Sequence, residues 1–586
     1  MSSLFLADII RDLWEDDDCR MHKIMFLRHG KVIAECAYEP FDLDMWHVSY
    51  SMCKSITGMA IGILIDEGKL SLEDRVDDIF SAYTGWFNPF KKTITVKNLL
   101  EMSSGVEFNE AGAVSGNDWR RSFLESGQKF EPGARFEYNS MNSYMLSAIV
   151  TEKTGMSLFE FCKERIFDPM GIKRVFWESC PQSITKGGWG LFMRAEDMAK
   201  LGQLYLQGGV WNDSQIVPEE WIKESTSHQI RTDKDDTEYY GYQIWVNDDR
   251  PGSYAFNGML GQNVFIYPDI EMVVVTSAGN SDIFQTSSMA MKIRDAMKSN
   301  IGICDGPLPD NTFHLKKLSR LIQSVSTPMQ PRIGITGGGW KNKRYRMTRG
   351  SARPVQVTSS CIRQAASEGR QALLSREDGE LMEKWLRMLD GRVYELDTCG
   401  VGIFPIMMQI VHNNFTDGIK KIGFRIEDGI FCLDVYEGEA IFRLRCGFFG
   451  KRYVNDINMH GENYKVSMKS FFTRDEYNHP VIRNELYFLE EACLRNFNIH
   501  LVGEKMNYPY VPEHIELRMS ETPGTDMFLR TIKNINPEGT GLESAILSRV
   551  VKGGVKEALL HAVTNTIQPV ITGTLQNPDF VMPKEI

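Results

Sequence analysis

The eleven cysteines include no CxxC pair and no framework spacing. An odd, scattered set disfavours a disulfide scaffold and implies free thiols in a reducing compartment. The eleven histidines show no HxH or HxxxH grouping, which leaves a metal centre with little support. No apolar run reaches the ~18–20 residues a membrane span needs. The most apolar segment, Ile56–Ile65, ends at Asp66, and the N-terminal patch Leu4–Ile10 is broken by Asp8 and followed by Glu15-Asp-Asp-Asp18. Neither fits a signal peptide. Basic charge is also short: 66 Lys and Arg against 77 Asp and Glu give a net charge of -11, the opposite of a nucleic-acid binder's footprint. A GxSxG nucleophile elbow is missing, which disfavours the α/β-hydrolase route. Gly337-Gly-Gly339 lacks the Lys-Ser/Thr and the preceding strand of a P-loop. These absences lead us to expect a cytoplasmic protein with no cofactor, no metal, no nucleic acid and no membrane.

The 586 residues imply two or three domains. From about 20 to 300, helix and strand signals are dense. Ile24–Leu27 and Val32–Ala37 read as a hairpin turning at His29-Gly30. Helices are expected over Ser51–Glu67, Val96–Met102, Ser143–Thr154, Ala195–Leu206 and Ser287–Lys298, and strands over Tyr239–Val246, Gln262–Tyr267 and Glu271–Ser277. Strands lie early and late with helices between, as in a sheet built from both ends of a domain around a helical insertion. Residues 306–375 change character, with Pro307, Pro309, Pro328, Pro331 and the glycine run, and read as a linker ordered in part by a helix Thr312–Val325. From about 390 to 530 the period becomes two. Phe431, Leu433 and Val435 alternate with Cys432 and Asp434, and Phe442, Leu444 and Cys446 with Arg443 and Arg445, around the turn Glu437-Gly438-Glu439. Such alternation predicts an antiparallel β domain with one wet face. The tail beyond it is expected to be helical over Ala545–Val563.

Ser51 and Lys54 stand three apart, so on a helix they share a face. A lysine among apolar neighbours is less stable as an ammonium and can take the serine proton, making an alkoxide nucleophile. Roughly two SxxK matches arise by chance in a chain of this size. The second, Ser183-Ile-Thr-Lys186, lies in a loop before Gly187-Gly188 and reads as coincidence. The plain structural reading of Ser51 and Lys54 is an N-cap serine and a snorkelling lysine.

The surrounding segments separate these readings. Ser51-Met-Cys-Lys54-Ser-Ile-Thr-Gly58, Ile94-Thr-Val-Lys-Asn-Leu-Leu-Glu-Met-Ser-Ser-Gly105, Glu131-Pro-Gly-Ala-Arg-Phe-Glu-Tyr138-Asn-Ser140 and Gly188-Trp-Gly-Leu-Phe-Met-Arg-Ala-Glu-Asp-Met-Ala-Lys-Leu-Gly202 occur in that order. Together they resemble the serine β-lactamase-like family: class C β-lactamases, DD-peptidases and family VIII-type carboxylesterases. The resemblance covers about half of the chain. It implies an α+β fold of the β-lactamase/transpeptidase type, an antiparallel sheet flanked by helices with an all-helical insertion. It also implies that Tyr138 shares proton transfer with Lys54, and that the backbone N–H groups of Ser51 and Gln262 form the oxyanion hole. Arg392-Val-Tyr-Glu-Leu and Gly418-Ile-Lys-Lys-Ile-Gly-Phe are similar to the opening strands of the lipocalin-like, barrel-like β domain that many members carry.

Two departures matter. The second motif usually ends in asparagine, and here Ser140 stands there, able to donate one hydrogen bond but lacking the amide's donor–acceptor pair. The third motif, usually Lys-Thr-Gly or a histidine version, is best matched by Met259-Leu260-Gly261. Without its cation a carboxylate-bearing substrate loses a charge-assisted hydrogen bond. No general-base glutamate of the class A kind is identifiable, so Tyr138, Lys54 or the substrate would activate water.

These readings give four parts: residues 1–305 a β-lactamase-like serine hydrolase, 306–375 a linker, 376–535 the lipocalin-like β domain and 536–586 a tail. The expected activity is hydrolysis of a small-molecule ester or amide through a Ser51 acyl-enzyme. Ser51, Lys54 and Tyr138 are the catalytic residues, with Ser51, Gln262, Gly261, Ser140, Met259 and Leu260 around the oxyanion hole and substrate. Rival readings are a β-lactamase or D-amino-acid peptidase, an acyltransferase, and a catalytically inactive binding protein on the same fold. A homo-oligomer stays open.

Overall fold

The computed structural model describes residues 1–81, 93–110, 113, 116–234, 237–247, 249–281, 287–299, 302–304, 306–326, 376–397, 400–448, 451–477, 479–503, 511–524 and 567–576. The chain divides into two compact units, Met1–Ser326 and Thr327–Ile586.

The first unit is built on an eight-stranded antiparallel sheet. Its order is Lys31–Ala37, Met21–Arg28, Met272–Ala278, Gln262–Tyr267, Tyr254–Gly258, Trp245–Val246, Thr237–Tyr240, Ile230–Lys234. The chain's start and its later strands meet where Phe26 pairs with Val274. Both faces of the central strands are apolar because both are covered. Phe26, Phe265 and Val274 pack with the helices Ser3–Glu15 and Ser288–Lys298. Met25, Val264, Val273 and Val275 face the larger core with the helices Cys53–Asp66, Ser140–Thr154 and Ala195–Leu206. Gly202 lets the last of these lie directly on the sheet, since a Cβ there would come within 2.7 Å of Val264 and 2.8 Å of Val273.

Two expectations change here. Tyr239–Val246 is not one strand but two, Thr237–Tyr240 and Trp245–Val246, paired as a hairpin. The break lies where the chain meets other elements: a Cβ at Gly241 would come within 2.0 Å of the Ser225 carbonyl, and Gln243 has a left-handed φ of 60°. The helix expected inside the linker, observed as Thr312–Ser326, belongs to the first unit, where Leu318 and Val325 are buried in the core with Leu6 and Ile10. Of the expected linker, residues 327–375 lie outside the described residues.

A buried histidine pair gives this unit a pH-dependent stability. His22 Nδ1 lies 2.9 Å from His47 Nε2, and His47 Nδ1 lies 2.9 Å from the Val48 carbonyl. The His22 ring stacks on Phe41 at 3.6 Å. Burial, with His47, Lys23 and Arg20 nearby, holds the His22 imidazole well below its ordinary value of 6.5. The unfolded chain takes up a proton near the ordinary value while the folded chain does not. Stability is therefore full above that value and falls as pH drops through it, by at most ~1.4 kcal/mol per pH unit. Urea midpoints are expected to fall between pH 7.5 and pH 5, and His22→Asn to flatten that slope. An unchanged slope in the variant would reject the assignment.

The second unit is a ten-stranded antiparallel sheet. Its order is Ala440–Arg445, Ile430–Glu437, Ile419–Glu427, Val393–Leu396, Val570–Leu575, His514–Thr522, Leu494–Val502, Pro480–Phe488, Glu462–Arg474, Tyr453–Met459. It is nearly closed. Across its two edge strands Arg445 N donates to Asn455 Oδ1 (2.9 Å), and an Arg445 guanidinium N–H donates to the Val454 carbonyl (2.7 Å). Such closure removes exposed edges. Val570–Leu575 sits inside the sheet, pairing with Val393–Leu396 and His514–Thr522, although alternation in the sequence faded near residue 530. The expected helix Ala545–Val563 lies outside the described residues. Phe448 and Phe472 are buried, while Tyr453 and Phe471 are half-buried. Among the described residues no helix is long and apolar enough to cross a membrane, and no group of three His, Cys, Asp or Glu could hold a metal ion.

Candidate active site

Ser51 lies in a short 3-10 turn, Tyr50–Met52, that runs directly into the helix Cys53–Asp66. That helix is buried almost all round, as expected for a segment apolar on every face. Gly62 admits Trp221, whose ring would come within 2.2 Å of a Cβ. Lys54 is thus carried into the core, 2% exposed, while Ser51 stays half-buried. Lys54 Nζ donates to Ser51 Oγ (2.8 Å) and to the Gly188 carbonyl (2.7 Å). It also stands over the Tyr138 ring, 5.0 Å from its centre. A buried amine needs such partners, because burial of a polar group without them is costly.

Gly187-Gly188 makes this possible. Gly187 has φ 67°, and a Cβ there would come within 2.7 Å of the Ser143 carbonyl. Its own carbonyl accepts from Thr57 Oγ1 (2.7 Å). A Cβ on Gly188 would lie 2.9 Å from the Ser140 carbonyl and 3.5 Å from Lys54 Nζ. The glycine doublet therefore brings together the Ser51 helix and the helix Ser140–Thr154. Lys186, from the second SxxK match, is paired with Glu178 (2.7 Å) and serves no nucleophile; Ser183 sits in a loop at φ 62°.

Tyr138 is half-buried and stacks on Trp245, with ring centres 5.8 Å apart and planes 19° from parallel. Its phenol oxygen makes no hydrogen bond to another described residue. Ser140 opens its helix beside the N-cap Asn139, and its N–H donates to Glu110 Oε1 (2.8 Å). Lys54 Nζ bonds Ser51 and Gly188 rather than the Ser140 hydroxyl.

Met259–Gly261 form the tight turn between the strands Tyr254–Gly258 and Gln262–Tyr267, with Leu260 at φ 62° and Gly261 at φ 100°. Met259 is half-buried. Leu260 is fully buried, so its side chain lines the core and not the substrate edge where it was expected. A Cβ on Gly258 would lie 2.3 Å from the Ser49 carbonyl, 3.1 Å from Gln262 Cβ and 3.2 Å from Met52 N. Only glycine allows the hairpin to close on the Ser51 turn and bring Gln262 there. The Gln262 amide N donates to the Ala278 carbonyl (2.7 Å). Cys53, next to the turn, is an inert thiol whose pKa burial pushes up to about 12.

A family model described as Beta-lactamase matches residues 6–296. Those residues are a beta-lactamase family domain. The chain is 25% identical over 281 residues to a 6-aminohexanoate-dimer hydrolase of Paenarthrobacter ureafaciens, covering 43% of this chain and 70% of that one. It is 28% identical over 166 residues to Protein flp of Staphylococcus aureus (strain MW2), covering 26% of this chain and about a third, 33%, of that one. Among solved structures it is similar to EstCE1, a hydrolase with promiscuous acyltransferase activity. That match has 17% identity and a TM-score of 0.43 and covers 51% of this chain and 99% of that one. Of the residues around the candidate site, Trp245, Gln243 and Glu110 were missed in the sequence. No motif marks them, and each reaches the site through tertiary contact alone.

Proposed function

We propose that this protein is a serine hydrolase that cleaves an ester or amide of a small molecule through an acyl-enzyme on Ser51. The observation that carries this reading is the buried Lys54 amine 2.8 Å from the half-buried Ser51 hydroxyl. Ser51 Oγ attacks the carbonyl carbon, and its proton passes to the Lys54 amine. Tyr138, over which Lys54 already stands, relays that proton to the departing alcohol or amine. Water then attacks the ester on Ser51, gives up its proton through the same pair, and releases the acid. The close approach at Gly258 supports an oxyanion hole formed by the N–H groups of Ser51 and Gln262, aimed at the charge that develops in the tetrahedral intermediate.

Met259 supports a neutral substrate edge, since it stands where the resembled motif usually carries a cation. Met259→Lys is expected to raise kcat/KM for a carboxylate-bearing substrate such as a penicillin about tenfold or more relative to a neutral p-nitrophenyl ester. Equal effects on both would remove this argument. The reading as a whole is tested by treating the full chain with a fluorophosphonate and mapping the adduct. Label on the peptide holding Ser51 is expected, and a folded protein that takes no label would overturn it.

The nearly closed ten-stranded sheet supports reading the second unit as a lipocalin-like accessory domain. Nine described cysteines are free thiols, which supports a cytoplasmic setting.

A further inference from the structure

Residue 243 has a φ of 60°, a conformation for which glycine is the default and in which side chains are strained. It is nonetheless glutamine, and 2% exposed. Its polar groups are all engaged. The carbonyl accepts from Ser55 Oγ (2.8 Å) and the backbone N–H donates to the Leu100 carbonyl (3.0 Å). The side-chain amide N donates to the carbonyls of Leu99 (3.1 Å) and Leu100 (2.9 Å), and the amide O accepts from Ser143 Oγ (2.5 Å).

These partners belong to different parts of the site. Ser55 follows Lys54 on the nucleophile's helix. Ser143 stands one turn into the helix that opens at Ser140, just after Tyr138. Leu99 and Leu100 end the helix Val96–Leu100, whose last carbonyls need donors from outside the helix. Two residues after Gln243 the chain reaches Trp245, the platform under Tyr138. Gly58 lets the clamp approach, since a Cβ there would meet the Tyr242 carbonyl at 3.3 Å and Gln243 Cβ at 3.4 Å. A glycine at 243 would relieve the backbone strain. Only a side chain with both an acceptor and a forked donor ties these helices together.

We propose that Gln243 is a positioning residue that sets the separation of Ser51 and Lys54 from Tyr138. This rests on the serine-hydrolase reading. It acts through geometry: small misplacement of reacting groups lowers the chemical step far more than it lowers binding.

The test measures fluorophosphonate labelling rate, kcat and KM on p-nitrophenyl esters, and Tm, for the full-length wild type, Gln243→Gly, Gln243→Glu and Ser143→Ala. Gln243→Gly is expected to fold, because its φ suits glycine, yet to label and turn over about 10–100-fold more slowly with KM nearly unchanged. Activity of Gln243→Glu relative to wild type is expected to rise as pH falls. The protonated acid restores a donor to Leu100 and an acceptor for Ser143, whereas the carboxylate faces two carbonyl oxygens. Ser143→Ala is expected to cost part of the same effect and to add nothing to Gln243→Gly. Wild-type labelling and kcat in Gln243→Gly and Ser143→Ala, with only Tm altered, would overturn the proposal. If Gln243→Gly does not fold, Ser143→Ala decides in the same way. A wild type that takes no label overturns the hydrolase reading itself, and so is distinguishable from failure of this proposal.

Discussion

Ser51→Ala is expected to lower ester turnover by about 10⁴-fold or more and to abolish fluorophosphonate labelling. The size follows from the chemistry. Without Oγ no covalent intermediate forms, and the remaining catalysis comes from binding and the oxyanion hole alone. The substitution leaves the fold intact, because Ser51 is half-buried and Lys54 keeps the Gly188 carbonyl and the Tyr138 ring as partners. Unchanged Tm beside lost turnover is therefore the signature to look for. If turnover survived, the nucleophile would lie elsewhere. Ser183 is a poor substitute, since the lysine of its motif is spent on Glu178.

Lys54→Met separates catalysis from stability. Methionine has nearly the shape of lysine but carries no charge and accepts no proton. Acylation is expected to fall about 10³–10⁴-fold, toward the upper end of what general base catalysis contributes. Stability is expected to stay within about 2 kcal/mol of wild type. Two hydrogen bonds are lost, to Ser51 and Gly188, while the cost of holding an amine 2% exposed disappears. The measurements are the pre-steady-state burst with a p-nitrophenyl ester and a urea unfolding curve. Full burst amplitude at the wild-type rate would reject Lys54 as the base, and a large loss of stability would make it a structural lysine.

Ser51 to Ala and Lys54 to Met test residues whose spacing is visible in the chain, because the two sit within one helical turn of each other and local geometry brings them together. The same holds for much of the fold. The hairpin at His29-Gly30, the helix Ala195–Leu206 and the strand Gln262–Tyr267 follow from period and punctuation over a few residues. Alternation likewise foretold the antiparallel sheet of the second unit.

What failed to show in the sequence is what depends on distant partners. Tyr239–Val246 has strand composition throughout, but Ser225 and the Leu100 carbonyl break it at Gly241 and Gln243. Val570–Leu575 is six residues long and finds its place through strands some 50 and 175 residues earlier, taken roughly from their positions in the chain. Leu260 reads as a site residue by its motif, yet the left-handed turn buries it. By itself the sequence determined which chemistry is proposed: a serine, a lysine one turn away and a tyrosine in ordered segments. Tertiary structure decided the geometry that makes the chemistry available. The Gly187-Gly188 and Gly258 contacts, the Trp245 platform and the Gln243 clamp are close approaches between backbones far apart in the chain, and sequence spacing carries no signal of them.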